Sequence, residues 1–213
     1  MTWLSNFIFS SVGRKQLMAL TGLGLCGFLI VHLSGNLLIF AGEDAFNDYA
    51  AFLAAQPLLP LARIGLAVVG ILHIVLALNL THTNTKARPT DYYYKAASDA
   101  TAASRTMIFT GLLIVLYVVI HLFNFTWDHP GEAGLYALVV AKLSSAPYAL
   151  FYIAAMVVLC LHLLHGIQSA FQSFGINHGK YTPLIKKACM ALSVALCLGF
   201  AAIPFYLLIQ GGA

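Results

Sequence analysis

Five stretches of this chain run for the length of a membrane crossing without a charged residue: Gln16 to Gly42, Ile64 to Thr85, Thr106 to Trp127, Leu143 to Gly179 and Ala188 to Ala213. A helix needs about 20 mainly apolar residues to cross the hydrocarbon core, where every backbone polar group must be bonded within the segment. The stretches therefore predict five transmembrane helices, at roughly 16–42, 62–85, 105–127, 147–173 and 187–210. The fourth stretch exceeds one span, so its helix is expected to start near Pro147, since proline suits a first turn, and to run toward Ser173. Apolar residues make up 61% of the chain and charged residues 8%, which excludes an ordinary soluble domain. The expected fold is an all-α integral membrane protein, a five-helix bundle forming a single domain over residues 1–213.

Loop charges orient the bundle. Arg14 and Lys15 precede the first span, Lys86, Arg88, Lys95 and Arg105 separate the second from the third, and Lys180, Lys186 and Lys187 separate the fourth from the fifth. The two remaining loops hold Glu43, Asp44, Asp48, Asp128 and Glu132 against Arg63 and Lys142. Positive loops stay inside, so the N-terminus is expected in the cytoplasm and the C-terminus outside. Arg14 and Lys15 follow the first short apolar run, the reverse of a signal peptide, so no cleaved leader is expected. Cys26, Cys160, Cys189 and Cys197 all lie within spans, where cysteine acts as a small apolar residue. A Cys-x-x-Cys-His motif is absent, which leaves covalent c-type haem without support. No nucleotide fingerprint or nucleophile elbow occurs, and no strong internal repeat stands out, so inverted-repeat transport logic finds little support.

Four of the five spans carry a histidine well inside: His32, His73, His121 and His162. An ionisable side chain in hydrocarbon is costly, and one in each of four successive spans calls for a function. His121 lies seven residues before Asp128 and His32 ten before Gly42, while His73 lies thirteen after Pro60 and His162 fifteen after Pro147. At about 1.5 Å per residue the set sorts into an outer pair, His32 with His121, and a deeper pair, His73 with His162, about 8 Å apart along the membrane normal. Facing imidazoles in a helix bundle complete the two axial sites of a haem iron. The spacing thus points to two haem b groups. Gly70, one turn before His73, and Gly166, one turn after His162, would admit a macrocycle edge, although small residues also serve plain helix contact. His165 shares much of the His162 face, and only one of the two can be the deep ligand. His82, His129 and His178 sit at span ends or in loops; His82, within Thr81-His82-Thr83-Asn84, could meet a quinone headgroup.

At this point the chain resembles the single-chain cytochrome b558 family, the dihaem membrane anchor of succinate dehydrogenase and fumarate reductase. Ser11–Lys15 (SVGRK), Val31–Asn36 (VHLSGN), Gly42–Asn47 (GEDAFN) and His162–Ser169 (HLLHGIQS), continuing through Phe171-Gln172 to Asn177-His178, carry the resemblance. It implies one haem shared by the first and third spans and another by the second and fourth, with His162 preferred over His165 because glycine follows four residues later. It also implies a flavoprotein and an iron–sulfur protein docked on the cytoplasmic face, and electron passage between the last cluster and a membrane quinone, with menaquinone favoured. On this reading Lys15 and Arg105 would pair with haem propionates, and Glu43, Asp44 and Asp48 would serve proton exchange at an outward quinone site. Some dihaem fumarate reductases carry a glutamate two residues before the fourth-span ligand; Cys160 stands there in this chain, so that proton path does not carry over.

The expected location is the bacterial cytoplasmic membrane, with lipid, quinone and the two soluble subunits as partners, a possible higher oligomer of the complex, and no nucleic acid. The expected role is that of the quinone-reactive electron-transfer subunit, with no dicarboxylate site on this chain. Two alternatives stay open: a dihaem b anchor of a hydrogenase or formate dehydrogenase, and a transporter using histidines as a relay.

Overall fold

The computed structural model describes residues 2–87, 106–128 and 134–211, and among them every regular element is helical. A short helix α1, Trp3–Phe9, leads into α2, Ser11–Asn36, whose first turn is capped by the Ser10 side chain accepting from the Gly13 N–H. A 3-10 turn, Leu37–Ala41, follows, and then α3, Glu43–Ala54. Next come α4, Leu59–Lys86, and α5, Met107–Leu122, which ends in a π-helical turn, Phe123–Trp127. Helices α6, Gly134–Leu143, α7, Ala146–Ser173, and α8, Thr182–Gly211, complete the described chain. Pro60 and Pro147 occupy the first turns of α4 and α7, where a missing N–H leaves no bond unmade.

Five of these helices, α2 with its 3-10 extension, α4, α5 with its π turn, α7 and α8, are long and apolar enough to cross a membrane. The chain is a multi-pass membrane protein. Its apolar surface points mostly outward: 6% of the most apolar window of α4 is buried within the chain, and 33% of that of α8. Lipid tails are as apolar as leucine, so such faces need no protein cover.

Helix α7 holds the bundle together, packing on α8, α2 and α5, while α4 lies along α2 and touches α5 only lightly. Its buried residues Tyr152, Met156, Leu159, Leu163, Ile167 and Ala170 recur every three or four positions, giving one inward stripe. Around that stripe one core gathers Cys26 and Leu33 of α2 with Cys189, Leu196 and Cys197 of α8. A second core gathers Ile39, Phe46, Val139, Leu143, Tyr152, Ile203 and Leu207 at the other end.

That second core corrects the expectation of plain loops between spans. The segments after the first and third spans form helices α3 and α6, which pack on each other. Gly42, at φ 102°, makes the turn into α3, a conformation glycine adopts without a side-chain clash. The Asn47 Oδ1 accepts from the Tyr136 backbone N–H at 3.0 Å, tying α3 to α6. Lys142 of α6 pairs with Asp128 at the end of the third span, 2.8 Å away. Neither helix reaches a span's length, so charge-free runs cannot reveal them.

Candidate functional site

The four histidines deep in the spans meet as two pairs. The rings of His32 on α2 and His121 on α5 lie 5.9 Å apart, centroid to centroid, at right angles. Those of His73 on α4 and His162 on α7 lie 6.5 Å apart at 70°. Two imidazoles bound to opposite sides of one metal ion at about 2 Å per bond put their centroids about 6 Å apart. No cluster of three or more His, Cys, Asp or Glu that could hold a bare ion occurs among the described residues. Two nitrogens per site fit a metal that brings its own equatorial ligands, as haem does.

The surroundings of the His73/His162 pair are polar in one specific way. Thr21 Oγ1 of α2 lies 3.1 Å from His73 Nδ1, and Thr110 Oγ1 of α5 lies 3.3 Å from His162 Nδ1. Each hydroxyl also donates one turn back along its own helix, Thr21 to the Leu17 and Met18 carbonyls and Thr110 to those of Thr106 and Met107. A hydroxyl has one proton and two lone pairs, so while it donates to one of these carbonyls it can still accept from the imidazole. In the tautomer with the ring proton on Nδ1, the hydroxyl oxygen accepts that proton and Nε2 is free to act as a ligand. Beside each threonine is a glycine against the same ring: a Cβ at Gly22 would stand 3.1 Å from His73 Cε1, and one at Gly111 3.5 Å from His162 Cε1.

Aromatic rings surround the His32/His121 pair instead. His32 stacks on Phe28 at 5.1 Å and meets Phe200 at 5.8 Å. Tyr117, Phe125 and Tyr152 lie 5.4 to 6.0 Å from His121. Phe200 stands one turn before Pro204, which has no N–H to offer its carbonyl. The π turn after His121 carries Asn124, whose buried amide donates to the Tyr152 hydroxyl at 3.0 Å. The Asn36 amide donates to the His32 carbonyl at 2.8 Å and reaches within 3.4 Å of His32 Nδ1. His121 Nδ1 is buried without a hydrogen-bond partner among the described residues.

A tandem repeat, passed over in the sequence, becomes visible through these contacts. Thr21 and Thr110, Gly22 and Gly111, Phe28 and Tyr117, His32 and His121, and His73 and His162 are each separated by 89 residues. Helices α2 and α4 thus correspond to α5 and α7, and each histidine pair takes one member from each half. Too few identities survive to stand out by eye; Thr-Gly-Leu at Thr21 and Thr110 is the longest within the first helices of the two halves.

The other candidate residues are scattered. His165 is half-buried on α7, while it is His162 whose ring stands by His73. Gly70 has open space on its side-chain flank, and Gly166 faces the Met107 methyl, with 3.9 Å left for a Cβ. Lys15 is exposed in the second turn of α2; its neighbour Arg14 turns inward to donate to Asn79 Oδ1 of α4. Arg105 lies outside the described residues, as does His129. Glu43 and Asp44 occupy the first turn of α3, and with Asp48 they are exposed. Glu43 and Asp44 suit that position because a helix N-terminus favours negative charge. His82 is exposed in the last turns of α4.

Among known families, the model of the succinate dehydrogenase/fumarate reductase transmembrane subunit matches residues 81–202, more than half of the chain. The chain belongs to that family. It is therefore a membrane subunit of an oxidoreductase complex, in agreement with the resemblance to a cytochrome b subunit. No curated protein and no solved structure matches the chain. The family match includes His121 and His162 but stops short of His32 and His73. It is the ring pairs and the 89-residue correspondence that tie those two to the succinate dehydrogenase/fumarate reductase half.

Proposed function

We propose that this chain is the dihaem cytochrome b anchor of a succinate:quinone or quinol:fumarate oxidoreductase, relaying electrons between an iron–sulfur subunit and a membrane quinone. The observation that carries the reading is the meeting of four span-buried histidines as two pairs at separations suited to axial ligation. His32 and His121 would hold the outer haem, and His73 and His162 the inner one. Haem b supplies reversible one-electron transfer when bound.

The chain's own part is to ligate, orient and shield. Thr21 and Thr110 hold the inner imidazoles with Nε2 free, and the aromatic rings around His32 and His121 keep water from the outer pair. The positive loops support an orientation with the inner pair toward the cytoplasm, where a flavoprotein and an iron–sulfur protein would dock. Lys15 at that end, and Arg105 by its place in the sequence before the third span, would pair with propionates, with Gly70 and Gly166 as small residues near the inner ligands. At the opposite end, exposed Glu43, Asp44 and Asp48 offer carboxylates for proton exchange with a quinone, menaquinone by family resemblance. His82, on the cytoplasmic side, is a second candidate for quinone contact. The setting is the bacterial cytoplasmic membrane, with the whole chain as one anchor domain.

A dithionite-reduced minus oxidised spectrum of the purified complex tests the reading. A b-type α band with two haems per chain, in a preparation that also contains flavin and iron–sulfur clusters, is expected. A complex without that band would overturn it.

A further inference from the structure

We propose that Thr21 and Thr110 are positioning residues for the inner haem: each hydroxyl accepts the Nδ1–H of the histidine 52 residues ahead, fixing that ligand's tautomer and strengthening it as an electron donor. The proposal rests on the reading of His73 and His162 as axial ligands.

Three observations carry it. The two contacts are the same contact made twice, at corresponding positions of the two halves and at the same sequence separation. A chance polar neighbour has no reason to recur in both halves beside both members of one pair. Next, a histidine that gives Nε2 to a metal keeps its ring proton on Nδ1, and each threonine hydroxyl has a carbonyl of its own preceding turn to take its proton, Leu17 or Met18 for Thr21 and Thr106 or Met107 for Thr110, so its oxygen can accept the Nδ1–H. Finally, the glycine following each threonine brings the helix backbone against the ring edge, so the hydroxyl reaches Nδ1 from close range.

An acceptor on Nδ1–H gives imidazole partial imidazolate character, as outer partners do for other metal-bound histidines. Such a ligand stabilises the oxidised metal more than the reduced one. The threonines should therefore lower the inner haem's midpoint potential and set the rotation of both ligand planes. The outer pair has no hydroxyl in that place: the polar group beside His32 Nδ1 is the Asn36 amide nitrogen, a donor, at 3.4 Å, and His121 Nδ1 is buried without a hydrogen-bond partner among the described residues.

The test uses the intact complex carrying Thr21→Val, Thr110→Val or both, with Thr→Ser at the same positions as controls. Haem content is measured first, and then the two haems are followed by redox titration and by low-temperature EPR of the oxidised state. Valine keeps the shape and removes the acceptor. The expected result is two haems per chain, a positive shift of the inner haem's midpoint that is larger in the double variant, and a moved low-field EPR feature for that haem alone. Serine is expected to restore both readouts. Loss of the inner haem in the valine variants with recovery in the serine variants also supports the proposal. Valine variants that retain two haems with parental potentials and EPR features would overturn it, as would valine losses that serine does not reverse. Failure of the underlying reading has a different signature: His73→Ala and His162→Ala complexes that keep both haems.

Discussion

The two histidine pairs share a plan and differ in their surroundings. Each takes one ring from the first half of the repeat and one from the second, at similar separations. Hydroxyls and glycines lie against the rings of His73 and His162; aromatic rings enclose His32 and His121, with the Asn36 amide beside His32. A repeated helix pair can thus bring two imidazoles together twice and still give each pair its own surroundings. Hydrogen bonding to Nδ1 acts on ligand strength, whereas an aromatic enclosure acts through water exclusion and low dielectric.

Removing ligands breaks the comparison most severely. With the ligands proposed above, His32→Ala or His121→Ala should cost the outer haem, and His73→Ala or His162→Ala the inner one, each halving haem per chain in a pyridine haemochrome assay. His165→Ala should leave both. A chain that lost both haems from any one change would show that the pairs are not independent sites.

A smaller effect, confined to the outer site, is expected for Tyr152→Phe. The Asn124 amide would be left buried without its acceptor, a loss of about 1–3 kcal/mol. A thermal melt of the detergent-solubilised complex should drop, with the outer haem's spectrum perturbed and the inner haem's unchanged.

The smallest expected effect separates the two halves of the repeat. A Cβ at Gly22 comes within 3.1 Å of His73 Cε1, tighter than ordinary packing, so Gly22→Ala must displace a ring that Thr21 holds, costing about 1 kcal/mol by overpacking. Gly111→Ala, at 3.5 Å from His162 Cε1, falls in normal van der Waals contact and should be close to neutral. Inner-haem occupancy in the two variants, measured side by side, checks the difference; equal losses would show that the halves pack alike.

Much of this was legible without coordinates. The charge-free runs fixed the helices that can span, because hydrocarbon leaves the backbone no other partner. Depth along those spans sorted His32 with His121 and His73 with His162, the rings that meet in the structure. Helices α3 and α6 escaped because they are too short for a hydropathy reading. Their role in closing one end depends on Phe46, Val139 and Leu143 finding Ile203 and Leu207 on a helix far along the chain. The threonines escaped for a related reason: a threonine in an apolar helix commonly bonds its own preceding turn, and nothing local shows that its lone pairs face a histidine 52 residues away.

Composition and spacing alone therefore determined that the chain crosses a membrane five times and carries four imidazoles where charge is costly. Those properties follow from each segment's transfer to hydrocarbon, residue by residue. Only the tertiary structure decided which polar atom meets which imidazole and that two helix pairs repeat one contact. These depend on the packing of helices distant in sequence, where a few tenths of an ångström at Gly22 separate a ring held in place from one displaced.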